Sequence, residues 1–294
     1  MTILLLGITI KSFNAYGNEP DAGTLFRTIS ISGTHLHDSI SLDSERAYYK
    51  AAEEKPTDGL PLRRYFSKFL LIPYDAGLEI IRLDQEGLSR NVFILCVLAT
   101  SLIMDQSIRD FVQDRLYAGE NFGTRFLFHA GNRKYYLPVF AGAYGISFVA
   151  GDRYFHDTML LSFQSLVVSL GFSELLKNTV SRSRPYDSPD DPFRRETGHE
   201  SFVSGHAVGM WSVMTVFANR YPKLKYGAYG FATAVSLARV YSDAHWTSDI
   251  LMGSLIGYGI VNLTLRHAYS PENNLTIVPF FDGNAQGASL RMNF

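Results

Sequence analysis

The 294-residue sequence predicts an all-α fold: a helical bundle of about six core helices, followed by a C-terminal β-hairpin. Three observations support this fold class. Six apolar segments follow one another with charged residues, glycine or proline between them, as in a helical bundle. Apolar residues make up 46% of the chain and charged residues only 19%, so a large core can form. The last seven residues alternate between apolar and polar, which indicates a strand.

The first 17 residues are a candidate signal peptide. Ile3–Ile10 is an apolar run, and Ala15 and Gly17 supply the small residues of a cleavage site. Basic residues are missing before the run, because Lys11 follows it. A short buried N-terminal segment is therefore the alternative interpretation.

The remaining chain divides by composition into an extension and a helical domain. Residues 18–65 are mostly polar, and we interpret them as an N-terminal extension. Residues 66–270 form the predicted helical domain. Its six apolar segments lie near residues 91–104, 136–150, 158–176, 207–219, 226–240 and 248–266.

These apolar segments leave the relation to a membrane open. A spanning helix needs about 18–20 consecutive apolar residues. One apolar run without a charged residue, Tyr135–Gly151, has 17 residues and contains Pro138. A membrane-associated globular protein and an integral membrane protein therefore both fit the sequence.

Residues 271–294 predict the hairpin. LTIVPFF and ASLRMNF are separated by the turn-forming DGNAQG, and the second segment alternates strictly. A terminal Phe after such alternation is also typical of outer-membrane barrels. However, a barrel needs at least eight strands, so we expect a hairpin packed on the bundle.

The net charge and the cysteine content give two further expectations, one about partners and one about disulfides. The formal net charge of -1 gives no reason to expect a nucleic-acid partner. The single cysteine, Cys96, cannot form an internal disulfide, and we expect a buried structural thiol.

The first stretch that indicates chemistry is KNTVSRSRP, residues 177–185. Lys177 closes an apolar helix, where a cation complements the helix dipole. Arg184 precedes a proline and should lie just outside that helix. The two cations can converge on one anion, although solvated basic residues at a helix end are the simpler alternative.

The second stretch, HESFVSGH, ends on Ser204, Gly205 and His206 at the start of an apolar helical run. Ser204 is a suitable N-cap, and Gly205 lets the backbone approach a ligand. The free N–H groups of a helix N-terminus bind anions. This predicts a phosphate site with His206 at its rim; the alternative is an ordinary cap beside an incidental histidine.

The third stretch, ARVYSDAHWTSD, contains Arg239, His245 and Asp249. If His245 opens a helix, Asp249 lies one turn later on the same face. Such a carboxylate can hold one ring nitrogen and leave the other free to attack. A surface pair is the alternative. Gly253 and Gly257, four residues apart, predict close packing of the helix that follows.

Together the three stretches resemble the signature of the type 2 phosphatidic acid phosphatase (PAP2) superfamily, which includes bacterial class A acid phosphatases and vanadium haloperoxidases. Two positions depart from the family pattern: Val203 stands where proline is usual, and Ala238 where serine is usual. The residues that match are Lys177, Arg184, Pro185, Ser204, Gly205, His206, Arg239, His245 and Asp249.

The resemblance implies roles for these residues. His245 would attack phosphorus, His206 would act as acid and then base, and Asp249 would orient His245. The phosphate would be bound by Lys177, Arg184, Ser204, Gly205 and Arg239. No metal or cofactor is implied. A zinc site that includes His199 is disfavoured, because three converging cations would repel a metal.

The resemblance therefore predicts a phosphoric ester hydrolase that works through a phosphohistidine. Its expected substrate is a phosphate monoester or a diphosphate, of a lipid such as phosphatidate or an isoprenoid diphosphate, or a small phosphate ester. The expected location is the bacterial cell envelope, facing the periplasm, with a membrane surface as candidate partner. A vanadate-dependent haloperoxidase and a non-catalytic envelope binding module are the alternatives.

Overall fold

The computed structural model describes residues 71–80, 85–189, 200–269, 274–282 and 285–293. These residues fall within one compact unit, Ser41–Phe294. The predicted signal peptide and N-terminal extension lie outside the described residues.

Eight α-helices make up the described fold up to residue 269. A π-helical turn, Val112–Leu116, extends the second helix, and a 3₁₀ turn, Pro222–Leu224, precedes the seventh. The helices are α1 (Leu71–Ile80), α2 (Gln85–Phe111), α3 (Phe122–Ala130), α4 (Arg133–Ala150), α5 (Arg153–Val180), α6 (Gly205–Arg220), α7 (Lys225–Tyr241) and α8 (Thr247–Tyr269).

The predicted fold class is wrong in its helix count and in placing a β-hairpin on the bundle. The described helices number eight rather than about six, because α1 and α3 contain charged residues and show no uninterrupted apolar run. Between residues 71 and 269, the regular elements in the part of the chain that the structure describes are all helices, so no β-hairpin belongs to this bundle. Beyond it the backbone is extended at β1 (Asn274–Asp282) and β2 (Ala285–Asn293), which pair antiparallel in a sheet of just these two segments.

Local signals in the sequence account for several helix ends. The Asn121 side chain accepts a hydrogen bond from the Thr124 N–H, and the Thr124 hydroxyl accepts one from the Asn121 N–H, which starts α3 with a capping box. Asp152 caps α5 by accepting from the Phe155 N–H at 3.0 Å. Between them, Gly151 ends α4 with a left-handed backbone, φ +65°, that glycine adopts without strain.

Helix α6 forms the centre of the bundle and packs against α5, α7 and α8. The predicted close packing at Gly253 and Gly257 is confirmed. A β-carbon on Gly253 would lie 2.9 Å from the Ser204 carbonyl oxygen, and one on Gly257 would lie 2.8 Å from that of Val208. The backbones of α6 and α8 therefore touch where only glycine fits.

Four helix ends meet at one end of the bundle and bring the three sequence stretches together. The Ser204 N–H at the start of α6 donates to the Asp249 carbonyl of α8 at 3.2 Å. The Ser201 N–H donates to the carbonyl of Arg182, just beyond α5, at 2.6 Å, and the His245 N–H donates to that of Arg239 in α7 at 3.2 Å.

Three helices are long and apolar enough to cross a membrane: Gly87–Leu116, Arg153–Val180 and Thr247–Tyr269. Charge-free runs in the sequence underestimate these lengths, because the helices continue through isolated charged residues such as Asp105 and Glu174. Cys96, expected to be buried, lies exposed on the first of these helices.

Candidate active site

Gly205 lies at the centre of a cluster of cations. A β-carbon at this position would lie 3.7 Å from Lys177 Nζ and 3.2 Å from Arg133 Nη2. Arg184 reaches the loop before α8, where its Nη1 lies 3.5 Å from the Ala244 carbonyl oxygen. The helix N-terminus predicted to bind an anion therefore faces cationic side chains from two directions.

Several buried polar atoms of this cluster have no hydrogen-bond partner among the described residues. Buried polar groups in folded proteins are nearly always paired, so such a concentration needs an explanation. Ser204 stands at the N-cap position of α6, yet its hydroxyl makes no capping hydrogen bond. The unpaired atoms are Arg184 Nε, Ser204 Oγ, His206 Nε2, Arg239 Nε and Arg239 Nη1.

His245 is buried, and its contacts with neighbouring side chains are made at the Nδ1 edge of its ring. Its Nδ1 lies 3.3 Å from Ser201 Oγ and 3.6 Å from Asp249 Oδ2. The hydroxyl of Ser201 donates to that same carboxylate oxygen. Asp249 thus reaches His245 at ion-pair distance, with Ser201 between them, and Nε2 of His245 stays on the opposite side of the ring. Sequence reasoning did not identify Ser201, although it lies three residues before Ser204.

Burial lowers the pKa of His245 from its ordinary 6.5 to about 4, and the nearby Asp249 carboxylate opposes this shift. Its imidazole is therefore neutral at neutral pH. A neutral imidazole has a free lone pair, which a nucleophile requires.

His206 stands in the first turn of α6 beside the same cations. Burial lowers its pKa to about 2, and the positive charges of Arg239, Arg184 and Lys177 add to this effect. The aromatic ring of Phe128 lies 6.0 Å from the His206 ring. Burial and these charges thus keep His206 neutral, and an anion among the cations would raise its pKa.

Arg239 ends α7 with its guanidinium 4.2 Å above the ring of Phe128. Burial lowers the pKa of Arg239 to about 10, with a further contribution from the nearby charge of Arg184. The arginine therefore stays charged at neutral pH. Because two of its nitrogen atoms are buried without a partner, it is prepared to donate to an anion.

A buried ion network supports Asp249 from behind. Arg182 Nη1 donates to Asp249 Oδ1 at 2.8 Å, and Arg182 Nη2 donates to Asp105 Oδ2 at 2.7 Å. The Ser248 N–H and hydroxyl also donate to Asp105, at 2.9 and 2.5 Å. Sequence analysis assigned no role to Arg182 or Asp105, because their pairing joins positions 77 residues apart.

Arg133 is a further cation that the motifs did not reveal. It opens α4 and pairs with Glu174 of α5, which lies 3.8 Å from Lys177 Nζ. The Arg133 side chain is 42% exposed. It therefore lies at the rim of the cluster, within reach of a larger ligand.

A cavity of about 240 Å³ lies on the α3 side of Arg239. Its wall includes Phe128, the ring beneath the Arg239 guanidinium, and also Tyr117, Glu120, Arg125, His129 and Tyr241. In the part of the chain that the structure describes, no three His, Cys, Asp or Glu side chains are grouped as metal ligands. His199 lies outside that part.

Comparison with known proteins supports the family resemblance. Residues 158–270 match the model of the PAP2 superfamily. A lipid A 1-phosphatase of Rhizobium etli is 30% identical over 101 residues, which are 32% of this chain and 44% of that protein. An acid phosphatase of Zymomonas mobilis is 29% identical over 89 residues, 28% and 34% of the two chains. The chain thus spans less than half the length of these curated relatives.

One solved structure is similar at a lower level. It is a transmembrane PAP2 type phosphatidylglycerolphosphate phosphatase from Bacillus subtilis, with a TM-score of 0.45 and 20% identity over 60% of this chain and 92% of that chain. This similarity is too weak to build on.

Proposed function

We propose that this chain, whose residues 158–270 carry the PAP2 superfamily region, is a phosphatase that hydrolyses a phosphorylated lipid through a phosphohistidine. One observation carries the proposal. Arg184, Ser204 and Arg239 match the family motifs, and donor atoms of all three are buried without partners around the N-terminus of α6, beside Lys177. A tetrahedral phosphate supplies acceptors for all of them, and fixed cations are what phosphoryl transfer requires.

In the proposed reaction His245 Nε2 attacks phosphorus. The Nδ1 side of the ring faces Ser201 and Asp249, so the imidazolium formed by the attack is stabilised by a carboxylate 3.6 Å away. The bond from phosphorus to the leaving oxygen breaks as the bond to nitrogen forms. Lys177, Arg184 and Arg239 neutralise the charge on the other phosphate oxygens.

His206 would supply and then recover the proton. An anionic substrate opposes the cations that lower the His206 pKa, so His206 takes up a proton when the substrate binds. It then protonates the leaving alkoxide. In the second half of the reaction it removes a proton from water, which attacks phosphorus and breaks the bond to His245.

A lipid substrate fits the surface of the described helices. Large apolar side chains are exposed along α2, α4 and α5, among them Ile103, Val149 and Leu175 at 81%, 91% and 63% exposure. Exposed apolar surface of this extent indicates contact with lipid. The candidate site lies where the C-terminal end of α5 adjoins the N-terminal end of α8. Because both helices are long enough to cross a membrane, a site at their ends would lie at the membrane surface.

Phosphate release by the full chain in mild detergent with EDTA tests the proposal. An aryl phosphate, phosphatidate and an isoprenoid diphosphate would each be offered to the wild type, to His245→Ala and to His267→Gln. His267 lies at the far end of α8 and serves as the matched control. Release that survives EDTA and is lost only in His245→Ala supports the proposal. Release by His245→Ala at the wild-type rate would refute it.

A further inference from the structure

The side of the candidate site on which a leaving group departs is marked by His206, the residue proposed to protonate it. A β-carbon on Gly131 would lie 2.8 Å from His206 Cδ2, so the loop between α3 and α4 lies against this histidine. Arg133 follows two residues later. Its Nη2 is 3.2 Å from the β-carbon position of Gly205, the residue before His206. Arg133 therefore lies close to His206, the residue that the proposed function assigns to the leaving group.

Arg133 is not required to complete the pocket for a single phosphate. Lys177, Arg184 and Arg239 come from the first and third of the sequence stretches and are buried or half-buried, whereas Arg133 is 42% exposed at the rim. Glu174 engages one nitrogen of the guanidinium. A guanidinium carries five N–H donors in a planar fork, so it can bind a phosphate beside this carboxylate.

We propose that Arg133 is a specificity-determining residue, which binds a second phosphate group carried by the leaving group. This inference rests on the proposed function and narrows its substrate to one whose leaving group is itself anionic. His245 Nε2 would bond to the terminal phosphorus, and the P–O bond of the phosphoanhydride would break. Its electron pair would leave on the bridging oxygen as a phosphate monoester anion. Water would then cleave the P–N bond and release inorganic phosphate, with its proton passing to His206.

The electrostatics on this side of the site agree with an anionic leaving group. An alkoxide must be protonated as it leaves, whereas a phosphate departs as a stable anion that a cation can hold. Arg133 supplies the positive charge where the bridging oxygen becomes negative.

The test compares two substrates of one alcohol, a prenyl diphosphate and the corresponding prenyl monophosphate. The measured quantity is the ratio of their kcat/KM values in detergent with EDTA. In Arg133→Gln the value for the diphosphate should fall by about 10- to 100-fold, the effect of one charge-assisted hydrogen bond. The loss on the monophosphate should be several-fold smaller. Arg133→Lys should restore part of the ratio, and Lys134→Gln, the exposed neighbour, serves as control.

Equal losses on both substrates, or no loss on either, would overturn the role of Arg133. A second measurement separates this inference from the proposed function. In the His245→Ala background, calorimetry with inorganic pyrophosphate and with inorganic phosphate should show tighter binding of pyrophosphate. Arg133→Gln should abolish that preference. If the wild type hydrolyses no ester, the proposed function fails, while the binding preference still decides whether Arg133 binds a second phosphate.

Discussion

Replacing Arg182 by glutamine should destabilise the protein and slow the reaction together. The guanidinium is 1% exposed and donates to Asp105 and Asp249, which are 3% and 0% exposed. Removing one partner of a buried ion pair costs about 3–5 kcal/mol. Both carboxylates keep other donors, such as the Ser248 N–H and the Trp246 N–H, so we expect the lower end, about 3 kcal/mol.

That loss corresponds to a fall in melting temperature of about 6–12 °C for a domain of this size. It would be measured by thermal unfolding in detergent, beside phosphate release. Turnover should fall as well, because Asp249 loses the donor that fixes its Oδ1. Arg109→Gln provides the matched control: its ion pair with Asp243 is closer to solvent, and its loss should cost about 1 kcal/mol.

The double variant Asp105→Asn, Arg182→Gln distinguishes an ion network from simple packing. With one buried charge removed on each side, its free energy of unfolding should exceed the value expected from adding the two single losses, by about 1 kcal/mol or more. Additive losses, or an Arg182→Gln variant with unchanged melting temperature and turnover, would refute the reasoning.

Three further predictions follow from the same geometry. The pKa of His245 is about 4 in the folded protein and 6.5 in the unfolded chain, so the unfolded chain takes up a proton first as the pH falls. About 3 kcal/mol of the free energy of unfolding is therefore lost between about pH 6.5 and pH 4. Melting temperatures measured without phosphate should fall less steeply with decreasing pH in His245→Gln than in the wild type, and an unchanged slope would contradict this. His206→Ala should slow hydrolysis of alkyl phosphates by about 10²–10⁴ but of aryl phosphates far less; equal losses in steady-state assays would rule out the acid role. Gly257→Ala should lower the free energy of unfolding by about 1–3 kcal/mol, because the new β-carbon would meet the α6 backbone. Gly259→Ala is the control: a β-carbon there has nothing within 4 Å, so this variant should be neutral or stabilising. Similar melting temperatures for the two variants would disprove the contact.

The candidate site was accessible to sequence analysis because each of its parts is a helix end with local signals. Lys177 precedes the end of α5, Ser204 and Gly205 open α6, and Arg239 closes α7. These positions can be identified within short stretches, from a cap, a proline or a change of polarity. Their convergence follows from the bundle, in which α5, α6, α7 and α8 have adjoining ends.

The supporting residues could not be found in this way, because nothing local marks them. Asp105 reaches the site from α2, 143 residues before Ser248 in the chain. Arg133 and Lys134 both stand at the start of α4, and the distance to Gly205 distinguishes Arg133. Long-range contacts of this kind depend on how helices pack, which no short stretch of sequence specifies.

The helices were predicted unevenly for a similar reason. Each of the six apolar segments lies inside a helix, but α1 and α3 carry charged side chains and were missed. The alternation that predicted a hairpin concerns only the last residues of the sequence. It carries no information about the bundle, whose described elements are helices. Periodicity detects long apolar elements well, and it overlooks short helices held by caps such as Asn121.

The most direct test of the central claim is to trap the phosphorylated enzyme. Wild-type protein would be mixed with ³²P-labelled substrate in EDTA, quenched in alkali within one turnover and digested for peptide mapping. We expect label that is stable to alkali, labile to acid and located on His245, with none in His245→Ala. Turnover without any trapped label, or label on another residue, would contradict it.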